Sequence, residues 1–169
     1  MKHCERIELF DKIRTKYSVL LTSVLWKLTG EKELFAEAMQ NALLGMWRNV
    51  EKLEGKKAGA YIYRIALTAN SKAWRNRIGR DGQITKKSPE QNPTENGSFD
   101  EEILNLVRKE ISRLPNKQAQ AIVMRYIDQH DYVAIADSLS CTEDTARSHV
   151  SKAVASLRDK IARFNIMER

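Results

Sequence analysis

Apolar residues return every three or four positions through most of this chain. Only a helix gathers that spacing onto one face, so it constrains the fold more than any other feature. Ile7, Phe10, Ile13, Tyr17, Leu20, Leu21, Val24, Leu25 and Leu28 form one series, and Gly30 ends it. Phe35, Ala38, Met39, Ala42, Leu43, Met46, Trp47 and Val50 form a second, which stops before EGKKAG at 54–59. A third helix is predicted from about Ala60 to Ile78, through YIYRIALTANSKAWRNRI.

The pattern then breaks. GRDGQITKKSPEQNPTENGSF, residues 79–99, holds three glycines and two of the three prolines with few apolar residues, which reads as a linker. Fully extended it would reach ~70 Å, roughly the length of 20 base pairs of duplex. Helical spacing resumes with Ile103, Leu106, Val107, Ile111 and Leu114 inward, and Pro115 suits the first turn of a helix built on Ala119, Ile122, Val123, Tyr126 and Ile127. DYVAIADSL gives a short helix with Val133, Ala136 and Leu139 as its apolar stripe, and a tight turn around Ser140 and Cys141 leads to the last long helix. No run reads as a strand. The expected fold is all-α: a three-helix domain at 1–78, a linker at 79–99 and a four-helix domain at 100–169.

The opening of the last helix, LSCTEDTARSHV, is the most informative stretch. Thr142 can cap the orphan amides, and Glu143 and Asp144 suit the positive end of the helix dipole. Beyond them Arg147, Ser148, Ser151 and Lys152 share one side, while Ala146, Val150, Ala153, Val154 and Leu157 can pack on the other. Short helix, turn and longer helix with a polar leading face make a helix-turn-helix pattern. An ordinary helix pair with a solvated face fits this stretch equally well.

Charge favours a polyanionic partner, with 29 Lys and Arg against 22 Asp and Glu. Residues 1–87 carry 18 basic and 9 acidic side chains, residues 88–103 none and 5, and residues 104–169 carry 11 and 8, so two basic halves flank a short acidic bridge. No run of about 18 apolar residues is present, and charges interrupt the apolar residues of MKHCERIELF, so neither membrane insertion nor a signal peptide is expected and the location is expected to be cytoplasmic. Cys4 and Cys141 stand far apart, without zinc-like spacing. No Gly-rich phosphate loop, GxSxG or HExxH occurs, so no catalytic residue, metal or cofactor is expected and the chain is not read as an enzyme.

The stretch SRLPNKQAQAIVMRYIDQHDYVAIADSLSCTEDTARSHVSKAVASLR resembles region 4 of the sigma-70 family, in the two-domain extracytoplasmic-function form. The matching elements are LP at 114–115, IVMRY, Tyr132, IA at 135–136, Leu139, Thr145, Ser148, Ala153 and Leu157. FAEAMQNALLGMW is similar to region 2.2, with Gln40 and Trp47 in matching places and Glu37 where aspartate is usual. YIYRIALTANSKAWR is similar to regions 2.3 and 2.4, with Tyr61 in a tryptophan position and Ile65, Ala66 and Arg75 in register.

The resemblance implies a sigma factor that binds core RNA polymerase and directs promoter-specific initiation, with an anti-sigma factor as a conceivable further partner. Glu37, Gln40, Asn41 and Leu44 would dock on the clamp helices of the largest subunit, and the C-terminal domain on the flap of the second subunit. Lys56, Lys57, Tyr61, Tyr63, Thr68, Lys72 and Arg75 would hold and open the −10 region, where aromatic faces and cations suit a single strand. Thr145, Arg147, Ser148, Ser151 and Lys152 would read the −35 element, with Arg suited to a guanine edge. His149 falls off the centre of that face. Ala134, where the family usually has Glu, departs from the pattern, as do Thr68 and Lys72, where it has Asn and often Asp; Thr68 and Lys72 predict a −10 motif of this chain's own. Ser140 replaces a frequent glycine and is expected at positive φ.

Without the resemblance, core packing is the default for Trp47 and Trp74, and solvation the default for Gln40, Asn41, Lys56 and Lys57. A helix-turn-helix regulator with an N-terminal dimerisation domain, or a helical protein-binding adaptor, would also fit the composition.

Overall fold

The computed structural model describes residues 3–84 and 99–167, with side chains placed for all of these but 83, 84 and 167. Seven α-helices occur among the described residues, and no strand: α1 (His3–Thr29), α2 (Lys32–Arg48), α3 (Ala58–Ile84), α4 (Phe99–Ile111), α5 (Asn116–Ile122), α6 (Tyr132–Leu139) and α7 (Glu143–Met167). A 3₁₀ turn at Val50–Leu53 joins α2 to α3, and a π turn at Val123–Ile127 extends α5.

In the first half, α1 turns inward with Ile13, Leu21, Val24, Leu25 and Leu28. Ala38 and Ala42, both fully buried, let α2 approach Ala66, Ala69 and Ala73 of α3 closely. At Gly45 a β-carbon would stand 3.1 Å from the Ile65 side chain. Trp74 is half-buried, its Nε1 donating to the Leu28 carbonyl at 3.3 Å, and Trp47 is half-buried beneath Phe10 and Arg6 of α1. Both tryptophans are therefore packing residues.

The third helix begins earlier and ends later than its spacing predicts. It continues through Gly79 and Gly82, although each glycine costs about 0.5–1 kcal/mol in a helix interior. Side-chain bonds offset this: Arg77 pairs with Glu31 and, at 3.6 Å, with Asp81, and Arg80 pairs with Glu37. The last turns of α3 are thus tied to α2. Of the expected linker, residues 79–84 are helical, 85–98 lie outside the described residues, and Phe99 opens α4.

In the second half, α5, α6 and α7 pack around Ile122, Val123, Ile135, Leu139, Ala146, Val150 and Ala153. Two inward assignments are corrected. Tyr126 is exposed because the π turn, closed by Asp128 N–H to the Val123 carbonyl at 3.2 Å, shifts the helical phase that its spacing assumes. Val133 is exposed because the stripe of α6 is centred on Ile135 and Leu139, about two fifths of a turn away at 100° per residue.

The halves also meet each other. The Arg108 guanidinium of α4 lies over Gly30, and its Nε donates to the Lys27 carbonyl at the end of α1 at 3.0 Å. Gly30 has φ +72°, so glycine is needed there for conformation and for space. α3 packs on both α5 and α6.

Candidate nucleic-acid interface

Two faces carry the side chains expected to meet nucleic acid. The first is the leading side of α7. Thr142 Oγ1 accepts from Thr145 N–H at 3.2 Å, fixing where the helix starts. Ser140, just before it, has φ 53° and ψ 51°, the left-handed conformation expected of it, and its N–H donates to the Asp137 carbonyl. At the other end of α6, Asp131 Oδ1 accepts from Ala134 N–H at 2.8 Å.

Thr145, Arg147, Ser148, Ser151 and Lys152 are all exposed along α7, spread over an arc of about 160°, while Ala146, Val150, Ala153 and Leu157 are buried opposite. The Arg147 guanidinium lies 4.2 Å from the centre of the Tyr132 ring and 3.6 Å from Glu143 Oε2. The Arg125 guanidinium approaches the same ring to 4.9 Å and donates to the His130 carbonyl at 3.1 Å. Part-buried His149 sits at the edge of the face, its pKa lowered by burial, then by Lys117 of α5 and by Lys152.

The second face lies between α2 and α3. A groove of about 330 Å³ is lined by Asn41, Leu44, Arg48, Lys52, Tyr61, Arg64, Thr68 and Lys72, among others, with no carboxylate. Tyr61, Thr68, Lys72 and Arg75 recur at helical spacing on one side of α3. Gln40 and Leu44 are exposed and Asn41 half-buried, close to the same groove. Arg48, Lys52 and Arg64 were missed from the sequence. Arg64 had a signal, lying three residues after Tyr61 and four before Thr68.

Three contacts expected on the first half are used within the chain. Glu37 accepts from Asn76 Nδ2 at 2.7 Å and pairs with Arg80, so its carboxylate braces α2 against α3. Tyr63 is buried, unlike Tyr61: its hydroxyl donates to Asp128 and lies 3.2 Å from His130 Nε2 of the other half, and burial first, then Asp128, pushes its pKa up. Its ring is not open to a base in this arrangement. Lys56 and Lys57 are both exposed, and Lys57 donates to Ser140 Oγ at 2.6 Å.

Two family models match these two halves in order: sigma-70 region 2 over residues 13–78, and sigma-70 region 4 over residues 104–157. The chain belongs to the sigma-70 family. As a sigma-70 chain it is similar to proteins described as RNA polymerase sigma-E factor. The protein from Streptomyces coelicolor is 23% identical over 158 residues, covering 93% of this chain and 88% of that protein. The one from Streptomyces avermitilis is 25% identical over 167 residues, covering 95% and 89%. Among solved structures, the sigma factor RpoE from Bartonella quintana, crystallised with the anti-sigma factor NepR, covers 90% of this chain with a TM-score of 0.49 and 19% identity. In sigma-70 terms the α2–α3 groove lies in region 2 and the leading face of α7 in region 4.

Proposed function

We propose that this sigma factor binds core RNA polymerase and directs it to promoters through two basic readers, one in each half. The observation that carries this reading is their conjunction: an open helix-turn-helix face and a cation-lined, acid-free groove in one chain matching regions 2 and 4 in sequence order. The α7 face would read the −35 element with Arg147, supported by Thr145, Ser148, Ser151 and Lys152. The α3 side would hold −10 bases and phosphates with Lys56, Tyr61, Thr68, Lys72 and Arg75, and we add Arg64 and Lys52. Gln40, Asn41 and Leu44 would meet the clamp helices, while Glu37 supports that surface from behind. Polymerase and DNA do the chemistry; the contribution of this chain is placement.

Each reader is small, and neither can fix its spacing from the other on DNA unaided. The isolated chain should therefore bind DNA weakly, with strong salt dependence and little sequence preference. Promoter-specific binding and strand opening should appear on addition of core enzyme. Gel shifts and permanganate reactivity on a promoter library, with and without core, test this. Tight specific binding by the chain alone, unchanged by polymerase, would instead support an autonomous regulator.

A further inference from the structure

Arg147 is not a free side chain on the recognition face. The Tyr132 ring, at the first residue of α6, lies 4.2 Å from its guanidinium carbon and 4.9 Å from that of Arg125. Arg125 is itself held by the His130 carbonyl. Glu143, one turn back on α7, adds an ion pair at 3.6 Å. The order of support runs from the loop carbonyl through Arg125 and Tyr132 to Arg147.

We infer that Tyr132 is a positioning residue for promoter selectivity, its ring holding the Arg147 guanidinium in the orientation that reads a base edge. The reasoning is entropic as well as electrostatic. An unrestrained arginine on a helix surface samples many rotamers, and most of them deliver its charge to a phosphate, which carries no sequence information. A guanidinium held on an aromatic face keeps its donor fork outward at a fixed angle, which bidentate recognition of a base requires. Glu143 alone does not do this, because an exposed ion pair leaves the plane of the fork unspecified.

The inference rests on Arg147 reading a base, and its test separates the two claims. Binding-site selection and equilibrium competition are run with the full chain assembled on core polymerase, for wild type, Arg147→Ala, Tyr132→Leu, Tyr132→Phe and the double variant. A cation–ring attraction of this kind corresponds to about two- to fivefold, so Tyr132→Leu should lower discrimination by that factor at the one base pair Arg147 reads. Other positions and the salt slope should hold. Tyr132→Phe should keep the preference. In the Arg147→Ala background Tyr132→Leu should change nothing further.

Fluorinated phenylalanines at position 132 supply a readout that a packing role would not move. Ring shape is nearly kept while the negative face is progressively weakened, so selectivity should fall stepwise with fluorine number. This series also remains informative if Tyr132→Leu fails to fold. Selectivity unchanged along the series, a uniform loss at all base pairs, or additivity with Arg147→Ala would overturn the role of Tyr132. An unchanged motif for Arg147→Ala would overturn the base-reading assignment itself, and the role of Tyr132 with it.

Discussion

The two proposed readers are built from similar side chains yet held in different ways. The α7 face draws its supports from its own half: Thr142 sets the start of the helix, and Tyr132 and Glu143 hold Arg147. At the start of α3, in contrast, the other half supplies the partners, Ser140 for Lys57 and Asp128 with His130 for Tyr63. A reader supported locally keeps its shape wherever its domain goes. One whose residues also hold the halves together changes its exposed chemistry when they part. Tyr61, Arg64, Thr68 and Lys72 make none of these bonds and line the open groove toward α2, although Tyr61 and Arg64 also border a cleft shared with α5 and α6, and Thr68 and Lys72 one shared with Ser112 and Asn116.

The sharpest way to break this comparison is at Arg147. Arg147→Ala should cost about 1–3 kcal/mol at one preferred −35 base pair and relax selectivity there. Lys152→Ala should weaken all sequences alike and reduce the salt slope by about one. Holoenzyme binding to a −35 library measures both. If Arg147→Ala returned the wild-type motif, α7 would be a general phosphate binder and the contrast with region 2 would lose its basis.

Next in size is Gly30→Ala, which disturbs the contact between the halves from the α1 side. A β-carbon there meets a left-handed backbone and stands 2.3 Å from Arg108 Nη1. The backbone term alone is about 1–2 kcal/mol, and displacement of Arg108 removes its bond to the Lys27 carbonyl. Thermal unfolding should show a lower midpoint. Arg108→Ala, which opens the space, should recover part of the loss in the double variant.

Much of this was legible in the sequence because it is local. The seven helices, the Thr142 cap and the left-handed Ser140 follow from spacing and turn chemistry, and each lies within a few residues of its cause. Tyr126 was misplaced because a single π turn changes the phase of everything after it, and composition carries no mark of that. The late end of α3 depended on Arg77 and Arg80 finding Glu31 and Glu37, which are 46 and 43 residues away. The bonds that Tyr63 and Glu37 make within the chain join residues 65 and 39 positions apart, which no local pattern announces. Residues whose role depends on one half of the chain meeting the other are the ones a periodicity cannot place.

Tyr63→Phe probes that meeting directly, with a smaller expected effect. It removes the donor to Asp128 while keeping the ring, for a loss of about 1 kcal/mol from the contact between the halves. Amide exchange should rise along the start of α3 and around Asp128 and His130, while α7 and its −35 preference stay as they are. Faster exchange in α7 to the same degree would mean that the local reader is no more independent than the shared one.

The smallest effect concerns His149, where the α7 face meets α5. Its folded pKa lies below the ordinary value of 6.5 because burial, Lys117 and Lys152 all disfavour the imidazolium. Between the folded pKa and 6.5 the unfolded chain binds more protons than the folded one, so stability is complete above this window and declines as pH falls through it. DNA should reverse the sign. A phosphate brought to Lys117 and Lys152 favours the charged ring, so binding takes up protons and strengthens on acidification. His149→Gln should flatten both slopes, in melting curves and in salt-matched binding between about pH 5.5 and 7.5. Because His149 is part-exposed and water screens both lysines, the change should be weaker than that at Tyr63. If the stability slope flattened while the binding slope persisted, the backbone phosphate would lie elsewhere on α7, and the locally supported reader would end short of His149.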